Sequence, residues 1–231
     1  MEEPETIERK ETHLGRLVAS AASIPDSGYC SSMSAVGAGT TADPLRIALL
    51  VRTVDWADEE TTPETSRSNT ARVHAALEGA LATSTAPEAL RAAQAVAAST
   101  QDFFSGCAAV VAGRQVRIAA IGYVRAWRLR GGRYDVLIEP NIRPANPSPG
   151  ASVGMLASLG SIESLDQARL AEVVLEPSDL VLITMGGELE EMPEARPSEA
   201  ITPEVLLGRT RPIGMSPAIL VVVGGDPDAS S

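Results

Sequence analysis

Residues 106–132, GCAAVVAGRQVRIAAIGYVRAWRLRGG, decide the fold class of this chain. Small and β-branched residues fill three short segments, which are separated by Gly113-Arg114, by Gly122 and by Gly131-Gly132. Short apolar segments between glycine turns predict consecutive strands, and the paired glycines are typical of a hairpin. The segment that follows, YDVLIEP at 134–140, predicts a fourth strand of the same sheet system.

The rest of the chain predicts two helices and further strands. Residues 45–54, LRIALLVRTV, form a continuous apolar stretch that is typical of a buried strand. Apolar residues at helical spacing from Val73 to Leu81 predict one helix, and Thr85 with Glu88 forms a capping box that begins a second. Three more strands are predicted at 171–177, 179–186 and 218–225. Strands on both sides of a helical pair indicate an α+β fold.

Composition excludes several functional classes. The chain has 231 residues and a net charge of -11, which disfavours nucleic-acid binding and binding to anionic membranes. Its two cysteines and two histidines argue against a zinc site, and no nucleophile-elbow, P-loop or dinucleotide motif is present. Only one of the 19 basic residues is lysine, a bias typical of a GC-rich, bacterium-like genome.

The chain is expected to form one domain at 15–226 between a charged tail at 1–14 and a short tail at 227–231. The acidic amino terminus lacks the pattern of a signal peptide. No apolar stretch reaches the roughly 18 residues of a membrane helix. A cytoplasmic location is therefore expected.

Five segments, in order, resemble motifs of the type-2C family of metal-dependent Ser/Thr protein phosphatases. Residues 106–112 and 118–132 resemble the family's G-T-T-A-V-V-A and V-A-N-V-G-D-S-R-A-Y-L-L-R-D-G. Residues 152–160 resemble N-V-L-T-R-A-L-G, residues 175–187 resemble L-x-P-G-D-x-L-L-L-C-S-D-G, and residues 217–223 resemble D-N-I-T-V-V-V-V. The resemblance covers about 106–223, and the strand and helices extend it to about residue 45. It implies a β-sandwich flanked by helices, with two metal ions in a cleft at one end.

The aspartates that bind metal in the family are missing from the matching positions. Tyr123 stands in G-D-S-R, Gly186 in S-D-G and Pro217 in D-N, while Arg52 or Thr53 falls at the aspartate after the first buried strand. The family's early N-E-D falls near 32–36, where there is no carboxylate. Hard divalent cations need anionic oxygen ligands, and a metal pair is what activates the attacking water. The resemblance therefore implies a domain with no cofactor and no catalytic residues. The region at 141–159, which matches the family's flap, is also shorter than in an active member.

Relocated carboxylates are the alternative to a lost metal site. Asp55 and Asp58 follow the first buried strand, and an acidic run begins at Glu188. A residual phosphatase would have to use these side chains. A solvated acidic loop is the simpler interpretation of the run.

The expected function is binding to a protein partner. The resemblance implies an inactive regulatory or assembly module in Ser/Thr phosphorylation signalling, or a structural subunit of a larger assembly. Its partner would be a Ser/Thr kinase, an active phosphatase or a phosphoprotein. Gly186 and Ser148 lie in loops expected at the former metal cleft. Arginines on neighbouring predicted strands form either a solvated face or a patch for an acidic partner: Arg114, Arg117, Arg128 and Arg130.

Overall fold

The computed structural model describes residues 8–14, 17–23, 30–53, 62–100, 102–141, 157–161, 165–189, 206, 210–212 and 218–224. These residues form two helices, a 3-10 turn at Leu165–Gln167 and thirteen strands. The elements are β1 (Glu8–Leu14), β2 (Leu17–Ser23), β3 (Ser31–Val36), β4 (Leu45–Thr53), α1 (Pro63–Leu81), α2 (Ala86–Ala97), β5 (Phe103–Ala112), β6 (Gln115–Ile121), β7 (Val124–Arg130), β8 (Arg133–Ile138), β9 (Arg169–Val174), β10 (Leu180–Met185), β11 (Gly187–Leu189), β12 (Thr210–Pro212) and β13 (Ala218–Gly224).

Two antiparallel sheets pack face to face. The six-stranded sheet has the order β1-β2-β13-β10-β7-β8, and the five-stranded sheet has the order β3-β4-β5-β6-β9. Strand β4 alternates between two cores, because successive side chains of a strand point to opposite faces. Ile47, Leu49 and Val51 pack between the sheets, whereas Ala48 and Leu50 pack under the helices. This architecture confirms the predicted α+β fold.

The helices cover the outer face of the five-stranded sheet. Val73, Leu77 and Leu81 of α1 pack in one cluster with Leu90 of α2 and Phe104 of β5. Both helices begin at a threonine followed within two residues by proline, as preferred at a helix start. The predicted capping box of α2 is confirmed: the Glu88 carboxylate accepts from the Thr85 amide at 2.9 Å and from its hydroxyl at 2.8 Å.

The amino-terminal part of the chain differs from the prediction. The charge of residues 1–14 predicts a tail, whereas the structure pairs Glu8–Leu14 with β2 at the edge of the six-stranded sheet. An edge strand tolerates charged residues because one of its sides faces solvent. The pairing partner β2 in turn pairs with β13, some two hundred residues later in the chain. Neither of the two described helices combines the length and the hydropathy of a membrane span.

Candidate functional site

Strand ends from both sheets meet at one end of the sandwich. In the five-stranded sheet, β4 ends where β5 begins, with Thr53 opposite Phe103. In the six-stranded sheet, β10 ends at Met185, opposite the starts of β7 and β13. The turn at residues 122–123 links β6 to β7 and so joins the two sheets at this end. We call this region the cleft end and define it by Thr53, Ser105, Tyr123 and Gly186.

The turn that carries Tyr123 is held rigidly. Gly122 has a φ of +86°, and a Cβ added there would lie 2.5 Å from Ser105 Oγ, so only glycine fits. The Asn141 amide donates to the Gly122 carbonyl at 3.0 Å, and Asn141 Oδ1 accepts from the Gly122 amide at 3.2 Å. Ser105 Oγ accepts from the Tyr123 amide at 2.8 Å. Tyr123, which the sequence aligns with the family's aspartate, is therefore a neutral residue in a turn held by hydrogen bonds.

Gly186 is the second position at which the sequence predicts the loss of a family aspartate. It follows β10 directly, is buried and has a φ of +62°. Glycine contributes no side-chain ligand, and a substitution here would be strained whatever its size, because other residues rarely adopt this conformation. The third position, Pro217, lies outside the described residues, as do Asp55, Asp58 and Ser148. Glu188 lies in β11, but its side chain is outside the described part.

Arg52 faces away from the cleft. Strand alternation places Val51 between the sheets and Arg52 under the helices, so Thr53 is the residue on the side of the facing sheet. The Arg52 side chain is 3% exposed and donates from Nε to Asp102 Oδ1 at 2.8 Å. Asn69 of α1 donates to the other Asp102 oxygen at 2.7 Å. Of the two sequence alternatives, Thr53 is therefore the one on the side of the facing sheet, and Arg52 belongs to a buried network beneath α1.

The candidate arginines do not form one surface. Arg114 directly precedes β6, and Arg130 is the last residue of β7. Both therefore lie at the end of the sandwich opposite the cleft end, separated from Tyr123 by a seven-residue strand that spans roughly 20 Å. Arg117 lies in the middle of the outer face of the five-stranded sheet, and Arg128 pairs across β7 and β8 with Asp135. The structure therefore separates these arginines from Gly186, which lies at the cleft end.

Each of these arginines also has a partner within the chain. Arg114 donates from Nε to the Leu175 carbonyl at 2.7 Å, and Arg117 lies 3.5 Å from Glu172. Arg130 binds both oxygens of Asp179 and contacts Glu176 at 2.9 Å. These contacts favour the first interpretation, in which the arginines form a solvated face and their charges offset those of an acidic protein.

The Arg130–Asp179 pair has perturbed ionisation. The hydrogen bond to Asp179 raises the pKa of Arg130. Burial by itself raises the pKa of Asp179, but the hydrogen bonds from Arg130 and the Glu176 amide outweigh it and lower that pKa. The Asp179 side chain is fully buried, and it also accepts from the Glu176 amide at 2.8 Å. Asp179 therefore ties the β9–β10 turn to β7.

The described residues offer neither a metal cluster nor a reactive thiol. Within the described part of the chain, no three histidine, cysteine, aspartate or glutamate side chains come together as metal ligands would. Burial raises the pKa of Cys107 to about 12, and burial also raises the pKa of Cys30 despite hydrogen bonding to Thr70. Thiols with raised pKa values are poor nucleophiles at neutral pH.

Comparison with known proteins identifies the fold by structure and not by sequence. No protein-family model matches the chain, and no curated protein matches it in sequence. Among solved structures, it is similar to the S. agalactiae serine/threonine phosphatase, with a TM-score of 0.63 and 11% identity over 96% of this chain and 98% of that one.

Two further structures agree. Serine/threonine phosphatase Stp1 from Staphylococcus aureus aligns with a TM-score of 0.63 and 9% identity over 92% of this chain and 95% of that one. PppA, described as a key regulatory component of T6SS in Pseudomonas aeruginosa, aligns with a TM-score of 0.52 and 15% identity over 86% and 98%. The sandwich, its flanking helical pair and these likenesses lead to one conclusion. This chain has the fold of the type-2C Ser/Thr protein phosphatases.

Proposed function

We propose that this chain is a catalytically inactive, type-2C-like domain that acts by binding a protein partner in Ser/Thr phosphorylation signalling. One observation carries the proposal. At the cleft end, the described positions that match the family's metal aspartates hold Thr53, Tyr123 and Gly186. None of these side chains supplies a negative charge, whereas a paired divalent site requires several.

The surroundings of these residues support adaptation to the absence of metal. Ser105 and Asn141 satisfy the backbone of the Gly122–Tyr123 turn directly. The Arg125 guanidinium lies 6.0 Å from the centre of the Tyr123 ring, within the range of a cation–π contact. A turn held by these hydrogen bonds and by the Arg125–Tyr123 contact needs no metal ion to be stable.

The cleft end is the proposed partner surface. It is built from loops and turns on a rigid sandwich, which is the usual location of recognition residues. PppA, similar in fold, is described as a regulatory component. By analogy, a Ser/Thr kinase, an active phosphatase or a phosphoprotein is the proposed partner class.

Metal binding and turnover test the proposed inactivity. Calorimetric titration with Mn²⁺ is expected to show no paired site, and the purified chain is expected not to hydrolyse a phosphopeptide or p-nitrophenyl phosphate. An intact type-2C phosphatase is the positive control. Metal-dependent turnover that is lost in Asp55→Asn or Asp58→Asn would instead establish a residual phosphatase with relocated ligands.

Partner capture from the native cell tests the proposed surface. Gly186→Arg is a poor probe, because positive φ and burial at this residue would strain the fold. Tyr123→Glu, at a half-buried residue, is expected to weaken capture with little change in the melting temperature. Arg72→Glu on the exposed side of α1 is the matched control. Loss of capture in Arg72→Glu alone would place the interface on the helices, and constitutive capture in fixed stoichiometry would indicate a structural subunit.

A further inference from the structure

In the described part of the chain, strand β9 is an edge strand of the five-stranded sheet, and Arg130 of β7 donates to its Val174 carbonyl at 3.0 Å. Of the strands that the structure describes, only β6 pairs with β9. The Leu175 amide donates to the Arg114 carbonyl at 2.8 Å, and the register continues from this pair without a shift. Because backbone groups alternate in direction along a strand, those of Leu170, Glu172 and Val174 point away from β6.

The side chains of the same residues form an apolar–acidic–apolar row. Leu170 is 63% exposed and Val174 is 56% exposed, whereas most large apolar residues of the described chain are buried. Because Val173 packs between the sheets, both lie on the outer face of the five-stranded sheet, beside the part that the helices cover. A groove of about 420 Å³ runs between this row and the connection from α1 to α2, and it is lined by Ser84, Pro87, Val110 and Leu170 among others.

Glu172 lies in the middle of this row and keeps capacity for a second cation. Its carboxylate accepts a hydrogen bond from Gln115, and Arg117 Nε lies 3.5 Å away. The Arg117 and Glu172 side chains are 60% and 55% exposed, so their long contact is weak and screened by water. Gln115 and Arg117 hold the carboxylate over the sheet without enclosing it.

We propose that β9 is a docking edge for an extended segment of a partner protein that carries one basic residue between two apolar residues at alternate positions. An added strand satisfies the outward backbone groups of Leu170 and Glu172, whereas a helix has no free backbone groups to offer. The basic residue pairs with Glu172, and the apolar residues pack beside Leu170 and Val174.

Charge decides against a second copy of this chain as the occupant. An antiparallel copy that places Leu170 against Val174 brings the two Glu172 side chains directly opposite each other, and like charges so placed are destabilising. Each copy also has a net charge of -11, which opposes self-association and favours a basic segment. The edge runs from the side of the cleft end, where Arg169 lies opposite Ala120, toward the other end of the sheet at Val174, and its role does not depend on the proposed inactivity.

Two blocked peptides of sequence GTVTKTVTG and GTVTETVTG test the docking edge against the full chain. Fluorescence anisotropy is expected to show at least tenfold tighter binding of the lysine peptide. Amide shifts in NMR titrations are expected at Leu170 to Val174. Equal binding of the two peptides, no binding at millimolar concentration, or shifts confined to the cleft end would overturn the proposal.

Variants separate the backbone contribution from the charge. Glu172→Gln removes the charge alone, whereas Glu172→Pro also removes an outward amide that β6 does not use. The fold is expected to survive in both, and the lysine peptide is expected to bind at least tenfold more weakly to the proline variant than to the glutamine variant. Leu170→Asp serves the same purpose should the proline variant not fold. Glu172→Lys is expected to reverse the peptide preference, whereas Glu139→Lys, an exposed residue with the same charge change, is expected to leave it unaltered. A dimer, detected by light scattering, that Glu172→Pro dissociates would instead make a second copy the occupant and refute the proposal.

Discussion

At the scale of single residues, buried charges hold the elements in place. Arg52, Asp102 and Asn69 connect β4, the start of β5 and α1, and both members of the ion pair are almost fully buried. Both Asp102 oxygens are engaged, one by the guanidinium and one by the Asn69 amide. Because burial costs hydration, such a network is stable only while every member has its partner.

Removing one member of this network is expected to destabilise the fold more than removing both charges. Asp102→Ala leaves Arg52 buried without its counter-ion and should lower the free energy of unfolding by about 3–5 kcal/mol. The double variant Arg52→Met with Asp102→Leu should lose clearly less. Urea denaturation followed by circular dichroism measures both. Equal losses in the single and double variants would mean that the charge itself is not the cause.

The Arg130–Asp179 pair makes stability depend on pH on the acidic side. The folded pKa of Asp179 is lowered, so its contribution is present above the unfolded value of about 3.9 and is lost as pH falls through the lower folded value. Asp179→Asn is expected to lower stability at neutral pH and to flatten the dependence below about pH 4 relative to the unmodified chain. Melting temperatures between neutral and acidic pH measure this difference. Parallel pH profiles for the two proteins would contradict it.

At the scale of elements, the turn between β6 and β7 orients the cleft end. Tyr123 sits where it does because Gly122 adopts a positive φ against Ser105, and because Asn141 brings the end of β8 to the same turn. Asn141 also donates to the Gln167 carbonyl at 3.0 Å, which connects the turn to the 3-10 segment before β9. A two-residue connection thereby couples both sheets.

A matched pair of glycine substitutions separates backbone strain from crowding at this turn. Gly122 and Gly131 both have positive φ, but a Cβ at Gly122 meets Ser105 at 2.5 Å, whereas a Cβ at Gly131 meets nothing within 4 Å. Gly131→Ala should cost about 1 kcal/mol from the left-handed conformation alone. Gly122→Ala should cost substantially more, because Ser105 and the backbone around it must move. Thermal and urea unfolding measure the loss of stability in the two variants. Equal losses would show that Ser105 and the nearby backbone move aside at little cost in free energy.

At the scale of the whole molecule, apolar packing between the two sheets holds the sandwich together. The inter-sheet core is aliphatic, as in the cluster of Ile47, Ile118, Val181 and Val221. In an active type-2C domain, clustered carboxylates would repel one another until metal neutralised them. If the proposed inactivity holds, neutral residues at the matching positions remove that repulsion.

Chelation is therefore expected to leave the stability of the protein unchanged. The melting temperature should be the same with and without EDTA, and added Mg²⁺ or Mn²⁺ should not raise it, since an ion stabilises only a folded state that binds it. Differential scanning fluorimetry measures this, with an active type-2C phosphatase as the control. A fall of several degrees on adding EDTA would show that a bound metal contributes to folding.

The sequence by itself predicted the elements whose signals are local. The strand turns at Gly113-Arg114 and Gly131-Gly132, the capping box of Thr85 and Glu88, and the apolar stretches of β4, β10 and β13 all lie within a few residues of the structure they specify. The order of these segments was enough to predict the fold class. The neutral residues Tyr123 and Gly186 were also evident in the sequence, because they fall inside recognisable motifs.

Only the tertiary structure decided which residues share a surface. It turned Arg52 beneath α1 to meet Asp102, fifty residues away in the chain, and it placed Arg114 and Arg130 at the end opposite Gly186. It also paired the charged β1 with β2 and, among the described strands, placed β9 at the edge of its sheet. Pattern and propensity describe neighbours along the chain, whereas ion pairs, sheet edges and clefts depend on contacts between segments whose register is set by packing of the entire core.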